Sequence, residues 1–126
     1  MAKSFGETIR EMREAQSLGL RVAAERLGIS PAYLSRIERS KERPPKPELI
    51  KGMATLLGGD PDLLFRLADS TDPDLAEYIH LVPKVPEFLR KAMALRLTSD
   101  DFDGLIDDLN RRQSSDQEDG ESKTTP

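Results

Sequence analysis

The chain has 126 residues, 33% charged and 37% hydrophobic, with four Phe, two Tyr, no Trp and no Cys. That suffices for one domain, or one small domain with an appendage, around an aliphatic helical core, and it excludes a large multi-domain enzyme. The missing cysteines remove disulfides, thiol nucleophiles and Cys-ligated zinc, and the single His80 cannot build a histidine cluster for a metal. The net charge of −4 conceals an asymmetry: residues 1–58 hold eleven Lys/Arg against seven Asp/Glu, and residues 59–126 hold eight against sixteen. A basic half in an acidic chain points to an anionic partner for that half alone, most commonly nucleic acid. No apolar stretch follows Lys3 and no 18-residue apolar run occurs, so neither a signal peptide nor a membrane span is expected, and the expected location is the cytoplasm.

In chain order, Phe5, Ile9 and Met12 recur at i, i+4 and i+7 behind Ser4 and predict a first helix over about 4–16. LRVAAERLG then puts Val22, Ala23 and Leu27 on one face and stops at Gly28, suited to the left-handed position after a short helix. Ser30 reads as the N-cap of a third helix, with Pro31 at its first position, running to about Arg39 and burying Leu34 and Ile37. The segment SKERPPKP, basic and rich in proline, is an extended, solvated connection. A fourth helix follows from Pro47 to Leu57 with Leu49, Met53 and Leu56 inward, and Asp60 and Pro61 open a fifth carrying Leu63, Leu64 and Leu67.

Beyond Pro73 the helical pattern resumes at Leu75, Tyr78, Ile79 and Val82 and breaks at the two prolines of VPKVP. The next helix, placed over 86–97, is apolar around most of its circumference through Phe88, Leu89, Ala92, Met93 and Leu95, which predicts contact on two sides. Ser99 reads as the cap of a last helix whose Phe102, Leu105, Ile106 and Leu109 form an i, i+3, i+4, i+7 stripe. From Gln113 the tail has no apolar side chain and is expected to be disordered. The division is therefore 4–69 as one domain, 70–112 as a helical element and 113–126 as an acidic tail.

Function concentrates in residues 20–39, which read as helix, three-residue turn, helix. Two short helices crossing steeply must approach closely, so small Ala24 suits the crossing and Gly28 takes the positive φ of the turn. The AERLGIS turn, the PAYLSRIERS helix, the basic proline loop and the apolar fourth helix, in that order, resemble the Xre/Cro family of bacterial and phage repressor-type DNA-binding proteins.

The resemblance implies an all-α fold: a five-helix lambda-repressor-like DNA-binding domain, then a small C-terminal helical element and the tail. It implies that Pro31, Ala32, Tyr33, Ser35 and Arg36, with Ser30 ahead of them, face the major groove. There Arg36 is suited to guanine and Ala32 to a thymine methyl. Arg39, Lys41, Arg43 and Lys46 fall where the family meets phosphate. Arg13 matches the arginine that pairs with a glutamate at the position of Glu38, a structural role. Where relatives begin the second helix with Thr or Ser and then Gln, this chain has Gly19 and Leu20, so Arg21 is left to take the phosphate contact. Ser40 stands where a glycine is usual.

The function expected is a sequence-specific transcriptional regulator, a repressor, that reads double-stranded DNA at a palindromic operator as a homodimer. Dimerisation is expected through Phe88, Leu89, Met93, Phe102, Leu105, Ile106 and Leu109, and no cofactor or metal is called for. The alternative is an antitoxin-like or adaptor protein using the C-terminal helices to bind another protein. Catalysis is not expected: no Ser/His/Asp set is visible, and Gly52, Gly58 and Gly59 form no phosphate-cradling loop after a strand.

Overall fold

The computed structural model describes residues 3–123, with side chains described through 117, and these residues hold eight helices and no strand. They divide into two compact units, residues 1–78 and 79–126. The first contains α1 (Phe5–Ala15), α2 (Leu20–Leu27), α3 (Pro31–Glu38), α4 (Pro47–Leu57) and α5 (Pro61–Leu67). The division falls inside α6 (Pro73–Leu81), and α7 (Lys84–Ala94) and α8 (Ser99–Lys123) belong to the second unit. Among the described residues no helix is long and apolar enough to cross a membrane.

Local chemistry explains the boundaries in the first unit. The side chains of Ser4, Ser30 and Asp60 accept hydrogen bonds from the backbone N–H of Glu7, Tyr33 and Asp62, each cap contributing about 1 kcal/mol. Pro31, Pro47 and Pro61 sit in first turns, where a missing N–H costs nothing. Gly28 and Gly58 close α2 and α4 at φ 73° and 66°, conformations a side chain adopts only with strain.

The core gathers one face of each helix. Ile9 of α1, Leu34 of α3, Ile50 and Met53 of α4 and Leu64 of α5 are fully buried. Ala23 and Ala24, equally enclosed, let α2 lie close to α3 and α4. The tightest approach is between α1 and α3: a Cβ on Gly6 would stand 2.1 Å from the carbonyl oxygen of Ile37. A buried glycine at this point is what brings the first helix onto the C-terminal end of α3.

Two expectations for the second unit differ from what is found. Helix α7 starts at Lys84, because Pro86 falls in its first turn, where its ring and absent N–H break nothing, and it ends at Ala94, with Arg96 at φ 55°. The cap of α8 is Thr98, not Ser99: Thr98 N–H donates to Asp101 Oδ2 at 2.8 Å while Asp101 N–H donates to Thr98 Oγ1 at 3.3 Å, a reciprocal capping box. The helical backbone of α8 runs to Lys123, and residues 124–126 lie outside the described residues. Residues 113–117 are exposed.

Candidate nucleic-acid interface

Helix α3 has two faces of different chemistry. Leu34, Ile37 and Glu38 are buried, whereas Pro31, Ala32, Arg36 and Arg39 are exposed and Tyr33 and Ser35 are half-buried between them. Ser30 is exposed, its hydroxyl committed as acceptor to Tyr33 N–H. Arg39 folds back along its own helix, Nε donating to the carbonyl of Ser35 at 3.3 Å.

The helix ends with both bonds of a Schellman closure. Ser40 N–H donates to Ile37 O, and Lys41 N–H donates to Arg36 O at 2.8 Å. Ser40 carries the left-handed φ of 58° that glycine would take without strain. Its hydroxyl lies 3.1 Å from that of Ser4 at the start of α1.

The chain then enters the loop, where Lys41, Arg43 and Lys46 are all exposed while Pro45 is buried and anchors the segment. Among the described residues none of these three cations is paired with a carboxylate. Lys46 is the N-cap of α4 and no side chain caps that helix. Arg21, in the first turn of α2, is exposed as well, and Gly19 supplies no side-chain cap there.

Behind this face lies a buried ion pair. Arg13 Nε and Nη2 donate to the two carboxylate oxygens of Glu38, each at 2.8 Å, and Nη1 donates to the carbonyl of Leu18 at 2.8 Å. The Glu38 side chain is only 4% exposed. Hydrogen bonding to Glu38 raises the Arg13 pKa above its ordinary value, and the two side chains meet fork-on-fork. One guanidinium thus joins α1, the turn after it and the last residue of α3.

Some contacts escaped the sequence reading. Arg36 Nε donates to Glu42 Oε1 at 2.9 Å, and the Arg36 guanidinium carbon stands 5.9 Å from the centre of the Tyr33 ring. Lys51 of α4 pairs with Asp72 and Asp74 at the start of α6, and the bond to Asp74 raises its pKa. Gln16 Nε2 donates to the carbonyl of Leu57 at 2.9 Å. Apart from Tyr33 and Arg36, one helical turn apart, the separations belong to no periodic pattern: six residues across a helix end for Arg36 and Glu42, and more than twenty for the Lys51 and Gln16 contacts. Gly6, in a helix interior, was a readable signal of close packing.

In the second unit, the residues expected to pair two chains lie on α7 and α8. Phe88, Met93, Leu105, Ile106 and Leu109 are exposed, Met93 to 76% and Leu109 to 61%, while Leu89 and Phe102 are half-buried.

A glycine-closed turn between two short helices, the second carrying a basic exposed face over a buried aliphatic one, defines a helix-turn-helix protein. Residues 4–67, about half the chain, match the family of the helix-turn-helix domain, and the chain belongs to that family as an Xre/Cro-type member. It is 44% identical over 55 residues to the HTH-type transcriptional repressor RghR of Bacillus subtilis (strain 168), covering 44% of this chain and 41% of that protein. It is 43% identical over 53 residues to the uncharacterized HTH-type transcriptional regulator RghRB of the same organism, covering 42% and 38%. The matched stretch thus spans about two fifths of these relatives. Among solved structures, that of the P22 c2 repressor with a synthetic operator is 27% identical, covering 50% of this chain and 94% of that one at a TM-score of 0.47.

Proposed function

We propose that the chain is a sequence-specific transcriptional regulator that binds double-stranded DNA through α3 and represses by occupying an operator in the cytoplasm. The observation that carries this reading is the exposed, basic face of α3 continued by the unpaired cations of the loop. A second helix of this motif enters the major groove with its N-terminal residues at the base edges. Arg36 is the residue able to donate two parallel bonds to guanine, and Ala32 offers only a methyl contact to thymine. Ser30, Pro31, Tyr33 and Ser35 surround them. Arg21, Arg39, Lys41, Arg43 and Lys46 meet phosphates, which fixes register and orientation without reading sequence. The name of RghR supports repression as the outcome.

Fluorescence anisotropy with a duplex selected by the parent chain and a random duplex of equal length tests the reading. Arg36→Ala is expected to cost about 1–3 kcal/mol on the selected duplex and little on the random one, and an equal loss on both removes the base-reading role. Arg43→Ala is expected to weaken both alike and to lower the salt slope by about one.

The exposed apolar residues of α7 and α8 favour a second copy of this chain as their cover, so that two recognition helices address a palindromic site. A motif of this kind alone contacts one half-site, which is what supports pairing. Ile106→Asp is expected to turn a dimer at tens of micromolar into a monomer in sedimentation velocity. A parent chain that sediments as a monomer and binds no duplex points instead to the adaptor or antitoxin reading.

A further inference from the structure

Glu42 is a carboxylate in an otherwise basic loop, a position where it opposes any polyanion that Lys41, Arg43 and Lys46 attract. It does not pair with those neighbours. Its Oε1 accepts instead from Arg36 Nε at 2.9 Å, six residues back in the chain and across the end of α3. Both side chains remain partly exposed, at 44% and 38%. Among the described residues no other acceptor holds Arg36, so its Nη1 and Nη2 atoms are unengaged. The Tyr33 ring, one turn earlier, stands 5.9 Å from the guanidinium.

We infer that Glu42 is a positioning residue for DNA reading: with Tyr33 on another side, it holds Arg36 so that the distal Nη edge of the guanidinium is presented to a base. This rests on the base-reading role proposed for Arg36. A long exposed arginine samples many rotamers, and ordering it on binding has an entropic cost. A side chain already held in place avoids part of that cost, and a fixed planar fork discriminates better than a loose one. Occupying Nε leaves the two terminal nitrogens, which match the paired acceptors of guanine. The negative charge of Glu42 also weakens binding to phosphate in general. That repulsion lowers specific and random affinity alike, so the positioning of Arg36 is what widens the ratio of the two.

The test measures that ratio by anisotropy for the parent chain, Glu42→Ala, Glu42→Gln, Arg36→Ala and the double variant Arg36→Ala/Glu42→Ala. Glu42→Ala is expected to lower the ratio by about three- to tenfold, with random-duplex affinity unchanged or higher, as befits an exposed ion pair of modest strength. Glu42→Gln, whose amide oxygen still accepts from Nε, is expected to recover part of the loss. In the Arg36→Ala background, removing Glu42 is expected to leave the ratio unaltered. A ratio unchanged by Glu42→Ala, or equally reduced with and without Arg36, overturns the inference while leaving base reading by Arg36 standing. A ratio unchanged by Arg36→Ala overturns the base-reading role and the positioning role together. Because Glu42 is exposed on a loop, all variants are expected to melt as the parent does, which separates positioning from folding.

Discussion

The two units of the chain place their apolar side chains in opposite ways. Among the described residues, twelve of the thirteen buried hydrophobic residues fall within residues 1–78, and Ala92 is the one beyond. Seven of the eleven large hydrophobic residues left exposed fall in the shorter second unit, from Leu81 to Leu109. The first unit even encloses a charged pair, whereas the second leaves Met93 and Leu109 mostly in water. Hydrophobic burial stabilises in proportion to the area removed from water, so the first unit carries its own stabilisation and the second leaves much of its apolar surface uncovered.

Substitutions can sharpen or break this contrast. The largest effect is expected from Arg13→Ala, which strands the Glu38 carboxylate in the core and costs about 3–5 kcal/mol in denaturant unfolding while leaving the preferred DNA sequence unchanged. A variant that melts like the parent but prefers another duplex would move Arg13 from support to reading. Leu34→Ala empties a fully enclosed site between helices and is expected to cost about 2–5 kcal/mol by the same measurement. Ser40→Gly is expected to stabilise by about 1 kcal/mol, since glycine takes the left-handed φ without strain, and its melting temperature should rise. Leu109→Ala, in dilute monomer, is expected to change stability by less than about 0.5 kcal/mol. A loss comparable to that of Leu34→Ala would erase the distinction between the units.

Much of the first unit could be read from the sequence because its boundaries are set by residues with one dominant conformational use. Ser4, Ser30 and Asp60 cap helices at the positions their spacing implied, and Gly28 and Gly58 take the left-handed turns. The helix ends of the second unit were harder for reasons of local competition. Thr98 and Ser99 are adjacent hydroxyls, and Asp101, three residues after Thr98, decides between them. Pro86 looked like a helix start because proline breaks interiors, yet a first turn tolerates it beyond its first position. In the candidate interface the buried face of α3 followed from the spacing of Leu34 and Ile37, and the outward residues from the family resemblance. The Arg36–Glu42 bond did not, since it spans a helix end where no fixed repeat relates side chains.

The hydroxyl contact between Ser4 and Ser40 has a practical consequence for handling the protein. It sets the beginning of α1 against the second residue after α3, immediately before Lys41. Any polypeptide placed ahead of Ser4, an affinity tag included, therefore emerges beside the basic loop. A histidine-rich or acidic tag in that position contributes its own charge to the polyanion field and biases a salt titration. Affinities measured with and without such a tag should therefore be compared before any salt slope is interpreted.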